Sequence, residues 1–147
     1  MSDNIFVDTN ILLYSRDASE PEKRVTATAR LTELWETRAG RLSVQVLNEY
    51  FVNVTRKLSP GLSPEEAWDD IEALSVWNPL PIDMAILTRS YAVQRRCQLS
   101  WWDSMIVAAA EAAGCCRILS EDLSHGTSYF GITVENPFAS ASDDSDK

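Results

Sequence analysis

The stretch Ile118-Leu119-Ser120-Glu121-Asp122 decides the fold once it is set beside Ile5-Phe6-Val7-Asp8-Thr9-Asn10. Each is a short run of large apolar residues that stops at a carboxylate. Apolar runs without polar alternation fit strands buried on both faces. Such strands belong to parallel sheets, whose connections are helices. In open α/β sheets, ligands bind beyond the carboxyl ends of the strands, where the strand order reverses. Asp8 and Asp122 both fall just past such ends, so they are expected to meet although they lie far apart in sequence.

The segments between them read as alternating helices and strands, with no internal repeat or linker. A helical turn follows Asp8 through Ile11, Leu12 and Tyr14. Ser19-Glu20-Pro21-Glu22 has the pattern of a capping box with an early proline and predicts a helix to about residue 39, stopped by Gly40. Residues 42–44 form a minimal strand. Ser43 caps a helix that carries Glu49 and runs to about Leu58, where Pro60 and Gly61 break it. Ser63-Pro64-Glu65-Glu66 is a second capping box, opening a helix through Trp68, Ile71 and Leu74. Residues 80–82 are a short strand or an extended connection. Asp83 caps a helix to about Cys97, Ser100 caps the next, and Gly114 ends it. Residues 117–120 and 132–134 are further strands, giving four or five short strands in all.

Composition narrows the class. A chain of 147 residues with 45% hydrophobic content suits one core. No apolar run approaches the ~20 residues that span a bilayer, and no basic-then-apolar leader opens the chain. Cys97, Cys115 and Cys116 are too few and too oddly spaced for a disulfide framework, so a reducing cytoplasm is the expected setting. Cys115 and Cys116 open a predicted strand and read as buried thiols. A net charge of −9 argues, at face value, against a nucleic-acid partner. Much of it is local, however. Asp143, Asp144 and Asp146 sit in a C-terminal tail, and four more charges belong to Asp8, Glu49, Asp103 and Asp122. Basic residues (Arg16, Lys23, Arg24, Arg56, Lys57, Arg95 and Arg96) fit a solvated surface and RNA contact equally well.

Those four acids are the candidate site. Asp8 and Asp122 end strands. Glu49 interrupts the apolar positions Leu47, Tyr50, Phe51 and Val54, at the edge of a buried helical face. Asp103 lies in the first turn after Ser100. Each has a structural alternative: a cap or turn for Asp8 and Asp122, a solvated edge for Glu49, and a dipole partner for Asp103. Four acids so placed are better explained together, because carboxylates near a core are costly unless a cation joins them. Mg²⁺ or Mn²⁺, and therefore phosphodiester chemistry, is the economical explanation. The single histidine, His125, reads as a loop residue beside Gly126. Trp101 and Trp102 read as packing or interface residues, with base stacking as the alternative. Without a P-loop or a GxGxxG run, no nucleotide cofactor is indicated.

The ordered set Asp8-Thr9-Asn10, Glu49, Trp102-Asp103-Ser104-Met105-Ile106-Val107 and Leu119-Ser120-Glu121-Asp122, ending in Asn136-Pro137-Phe138, resembles the PIN domain family. At this size it most resembles the VapC-type toxins of toxin–antitoxin pairs. The resemblance covers residues 4 to about 138. It implies a single three-layer α/β/α domain over 1–138 with a mostly parallel central sheet, leaving 139–147 as an acidic tail expected to be disordered. It further implies an Mg²⁺- or Mn²⁺-dependent endoribonuclease, a homodimer and a cognate antitoxin. Asp8, Glu49, Asp103 and Asp122 match the family's acidic quartet, and Thr9 and Ser120 match accessory hydroxyl positions. Glu121 is an extra acid that could compete for the ion or support it. Asp8 and Asp103 are expected to bind the ion directly, with Glu49 and Asp122 orienting its waters or completing a second site. A metal-activated water would leave 5′-phosphate and 3′-hydroxyl ends.

Other functions fit less well. A haloacid-dehalogenase-like phosphatase would want an acid where Asn10 stands, and a lysine at a strand end. The non-enzymatic alternative is a catalytically weak regulatory or antitoxin-binding module on the same fold.

Overall fold

The computed structural model describes residues 3–139. The expected acidic tail therefore lies, but for Ala139, outside the described residues. Five short strands build the sheet: β1 (Ile5–Val7), β2 (Gly40–Arg41), β3 (Arg117–Leu119), β4 (Ser128–Tyr129) and β5 (Ile132–Glu135). Their order is β2-β1-β3-β5-β4. All pairings are parallel except β4 with β5, an antiparallel hairpin. The neighbours Phe6 and Val7, and Ile118 and Leu119, are all fully buried. Successive strand residues point to opposite faces, so both faces of the sheet are covered.

Among the described residues six α-helices supply that cover: α1 (Thr9–Tyr14), α2 (Pro21–Thr37), α3 (Val44–Arg56), α4 (Pro64–Leu74), α5 (Met84–Cys97) and α6 (Trp101–Ala112). Their starts follow local chemistry. Ser43, Asp83 and Ser100 each accept a backbone N–H from the first turn of α3, α5 and α6. At α4 the expected capping box is complete, with Ser63 and Glu66 each accepting the other's backbone N–H.

The box expected at Ser19 does not form. Glu20 precedes α2 without a side-chain cap, and the Ser19 hydroxyl donates instead to Asp17 at 2.6 Å. Asp17 offers a nearer acceptor, so a turn replaces the cap. Nor does Gly40 end α2. Arg38 does, in the left-handed conformation at φ 61°, while Gly40 opens β2. A Cβ at Gly40 would stand 2.6 Å from the Trp77 ring, so this glycine serves a close approach rather than a helix stop. The strand expected at 42–44 accordingly lies two residues earlier. Residues 80–82 contribute one bridge, Ser43 to Leu80, rather than a strand. Cys115 is buried as expected, which pushes its thiol up to about 12, but Cys116 is exposed. Among the described residues no helix is long and apolar enough to cross a membrane.

Candidate acidic site at the strand ends

From β1 the chain crosses to β2 on one side and, later, to β3 on the other. The strand order therefore reverses between β1 and β3, and open α/β sheets take their ligands at such a point, beyond the carboxyl ends of the strands. Asp8 follows β1 and donates its backbone N–H to the Leu119 carbonyl at 3.0 Å. The segment after β3 is thereby held against it.

Side-chain and backbone hydrogen bonds link the segments there into a relay. The Ser120 hydroxyl donates to Asp8 Oδ2 at 2.7 Å and accepts the backbone N–H groups of Asp122 at 3.1 Å and Leu123 at 3.3 Å. Asp8 Oδ1 accepts the Thr9 N–H at 2.7 Å. The Thr9 hydroxyl donates to Glu49 Oε2 at 2.8 Å, and Gln45, one turn earlier on α3, donates to Glu49 Oε1 at 3.1 Å. Glu49, Thr9, Asp8, Ser120 and Asp122 are thus linked through neutral donors. Asp103 is outside this relay. Its N–H is capped by Ser100 at 3.1 Å, and its carboxylate joins the group through the field it shares with Asp122 and Glu49.

Burial outweighs that field. Burial pushes the Asp8 carboxyl up to about 7. The Ser120 and Thr9 hydrogen bonds pull the other way, and the negative charges of Asp122 and Glu49 add to the rise. Asp103 is likewise raised, chiefly by burial and further by Asp122 and Glu49. Ion pairs among the described residues go elsewhere, such as Arg16 to Asp70 and Arg89 to Glu111. None reaches the four acids. Nor do three of them converge tightly enough to form a ready-made metal cage. The donor set still fits a hard divalent cation: all oxygen, one member buried, and no cation beside it.

Glu121 is turned away from this group. Tyr14 donates to its Oε1 at 2.6 Å and Lys23 to its Oε2 at 2.6 Å. Burial raises its pKa, but these two donors outweigh that and hold it below the usual carboxylate range. Its backbone N–H is taken by Asn10 Oδ1 at 3.1 Å. Lys23 and Arg16, two of the basic residues weighed as a surface or an RNA contact, are thus engaged in ion pairs. His125 accepts the Asn136 N–H on Nδ1 at 2.9 Å, tying its loop to the end of β5.

Three contributors escaped the sequence reading: Asn10, Gln45 and Tyr14. The first two carried a signal in their spacing. Asn10 stands two residues after Asp8 in a turn, and Gln45 stands four before Glu49 on a helix. Tyr14 carried none, because its partner is 107 residues away.

Comparison with known proteins adds to this geometry. Residues 5–125 match the family described as PIN domain. A search of curated proteins by sequence finds no match. Among solved structures, one chain of a toxin–antitoxin complex from Klebsiella pneumoniae superposes with a TM-score of 0.66 at 20% identity, covering 92% of this chain and 98% of that one. VapC20 from Mycobacterium tuberculosis, described as a sarcin–ricin loop cleaving toxin, superposes with a TM-score of 0.59 at 17% identity, covering 81% and 90%. At such identities these likenesses speak for the fold alone.

Proposed function

Since the chain belongs to the PIN domain family, we propose that it is a divalent-metal-dependent endoribonuclease of the toxin type, a single domain over residues 1–138. The observation that carries this is that Asp8, Glu49, Asp103 and Asp122 lie close enough at the strand ends to feel one another's charge, and that the hydrogen bonds to Asp8 and Glu49 among the described residues come from neutral donors. Asp8 and Asp103 would hold Mg²⁺ or Mn²⁺, with Glu49 and Asp122 orienting its waters or completing a second site, and the ion when bound would supply a Lewis acid for the phosphate and a more acidic water.

The chain's own residues set the stage for that ion. Thr9 and Ser120 fix the orientation of Glu49 and Asp8 by donating to one oxygen of each. Ser120 also holds the backbone of the Asp122 segment, so one hydroxyl positions two of the acids. Tyr14 and Lys23 hold Glu121 aside and leave four acids for the ion. Such oriented carboxylates are the usual way a protein fixes a metal's remaining waters.

In the cell the chain is proposed to work in the cytoplasm as a homodimer restrained by a cognate antitoxin, with RNA as substrate. Both solved relatives are described as belonging to toxins or toxin–antitoxin complexes, which supports that setting. Purified, antitoxin-free protein should cut a mixed RNA pool with Mg²⁺ or Mn²⁺ and stop when chelator is added. No metal-dependent cleavage across transfer, ribosomal and messenger RNA would overturn the proposal in favour of a binding module.

A further inference from the structure

A second feature stands beside Asp103. Helices α5 and α6 form an antiparallel pair joined by Gln98-Leu99-Ser100. Arg89 on α5 grips Glu111 on α6 through two hydrogen bonds, at 2.6 and 2.9 Å, which sets the register of the pair. Glu111 lies eight residues beyond Asp103, and Arg89 lies eight before Cys97. The last turn of α5, with Arg95 and Arg96, is therefore level with Asp103, about one helix spacing of 8–10 Å to the side. The β4–β5 hairpin reaches the same place. Burial raises the Tyr129 phenol, and the nearby Cys97 and Asp103 add to the rise. The next residue, Phe130, lays its ring centre 4.5 Å from the guanidinium carbon of Arg89 and 5.9 Å from that of Arg96.

What sets these arginines apart is how they are balanced. Among the described residues, the cations that lie over aromatic rings are Lys23, Arg89, Arg95 and Arg96. Lys23 and Arg89 are also ion-paired, with Glu121 and Glu111. Arg95 and Arg96 pair with no carboxylate among the described residues. Arg95 instead donates to the Tyr91 hydroxyl at 3.3 Å and lies 5.7 Å from its ring centre. The end of a helix favours cations in any case, but that needs no ring to hold them. Phe130 is present at a cost. With Gly131 it makes a two-residue hairpin turn at φ 54° and 83°, a turn that asparagine suits and a bulky side chain does not. Strain of this kind gathers at sites of use, and here the strained ring steadies an arginine. A guanidinium held by a ring is oriented, yet keeps its whole charge and its fork of N–H groups. That fork fits a phosphate, and an RNA strand cut at the acids carries further phosphates on either side of the bond that breaks. An acidic peptide would meet the same fork but gains nothing from lying beside four carboxylates.

We infer that Arg95 and Arg96 form a phosphate clamp for the RNA strand that crosses Asp103, with Phe130 as the positioning residue that holds Arg96 in place. The inference rests on RNA being the substrate of the acidic site. Phosphate contacts carry no sequence information, so the clamp sets affinity and register and leaves the choice of base to other groups.

The test measures binding of a short single-stranded RNA to the full chain carrying Asp8→Asn, in Mg²⁺ and over a series of salt concentrations, so that the RNA stays whole. Each phosphate contact contributes about 0.7 to the slope of log affinity against log salt for a single strand. Arg96→Gln should lower that slope by about 0.7 and weaken binding about fivefold at roughly 0.1 M salt, and Arg95→Gln should do the same. Arg96→Lys should keep the slope. Arg38→Gln, at an arginine just before β2 and the opposite end of the sheet from the acids, should change neither quantity. Phe130→Asn, which suits the turn, should keep the fold and the slope but weaken binding about twofold or more. If both glutamine variants bind RNA with the affinity and slope of the background chain, the clamp is overturned, and cleavage by the parent would still uphold the nuclease proposal. If the slope falls as stated and the parent never cleaves, the clamp stands and the nuclease proposal fails. Unchanged RNA binding with a shift from dimer to monomer would make this face an interface between copies and overturn the inference, as would a background chain that binds no RNA.

Discussion

Ser120 donates its hydroxyl to Asp8 across 112 residues of chain, at 2.7 Å and out of contact with solvent. The bond joins the ends of the two central strands, and the same oxygen receives the N–H groups of Asp122 and Leu123. Ser120→Ala leaves those two donors and Asp8 short of a partner. Losing such buried hydrogen bonds costs about 1–3 kcal/mol, and loosening a ligand's support lowers metal affinity or activity by about 10- to 100-fold. Denaturant melts and cleavage assays on the variant check both. Full activity in Ser120→Ala would remove Ser120 from the site.

Asp8 makes metal-free stability depend on pH. In an unfolded chain it ionises near 3.8, and in the folded one at about 7. Between those values the folded state holds the extra proton, so stability falls as pH rises. The contribution is fully present below 3.8 and lost as pH passes about 7. Thermal melts in chelator should therefore give a higher Tm at pH 5 than at pH 8. Asp8→Asn keeps the shape and removes the charge, so its metal-free Tm at pH 8 should exceed the parent's by at least ~2–4 °C while cleavage is lost. A parent Tm that is flat over this range would refute the account of Asp8.

Glu121 and Asp122 are neighbours with opposite assignments. Glu121→Gln should leave cleavage within about threefold and cost roughly 0–1 kcal/mol, as a partly exposed ion pair does. Asp122→Asn should reduce cleavage by about 10-fold or more at fixed Mg²⁺. Side-by-side rate measurements decide it, and the reverse ranking would exchange the two roles.

The ends of the cut RNA provide an independent check. Attack by the RNA's own 2′-hydroxyl needs a general base, and histidine is the usual one. The single histidine accepts a backbone N–H from Asn136 on Nδ1. Products should therefore carry 5′-phosphate and 3′-hydroxyl ends, read by ligation or mass spectrometry. A 2′,3′-cyclic phosphate would exclude a water nucleophile.

Gly40→Ala tests the fold itself. The added methyl would overlap the buried Trp77 ring. Overpacking of that kind costs about 1–3 kcal/mol, measurable as a lower denaturation midpoint with little change in the activity of the folded fraction.

Legibility followed the range of the forces involved. Ser63, Asp83 and Ser100 were readable as caps because a cap and its target are three residues apart. Ser19 misled because Asp17 competed for the same hydroxyl, and Gly40 misled because its reason is Trp77, a residue brought near only by the fold. The hairpin strand β4 is two residues long, too short to carry a periodic signal. The four acids could be singled out because each ends or flanks an element. Their hydroxyl relay could not be drawn in advance, since its decisive bonds join Thr9 to Glu49 and Ser120 to Asp8. The partners of Glu121 were hidden for the same reason: Tyr14 and Lys23 reach it from α1 and α2.

The neutral relay through Thr9 and Ser120 has a temporal consequence. Because the hydroxyls of Thr9 and Ser120 already donate to Glu49 and Asp8, the proposed site would not have to wait for its ion before it takes shape. A nuclease of the proposed kind could then be made, folded and captured by its antitoxin while still idle. On the proposed reading, metal would arrive as a late and reversible arming step, and its withdrawal would return a folded, inert molecule rather than an unfolded one.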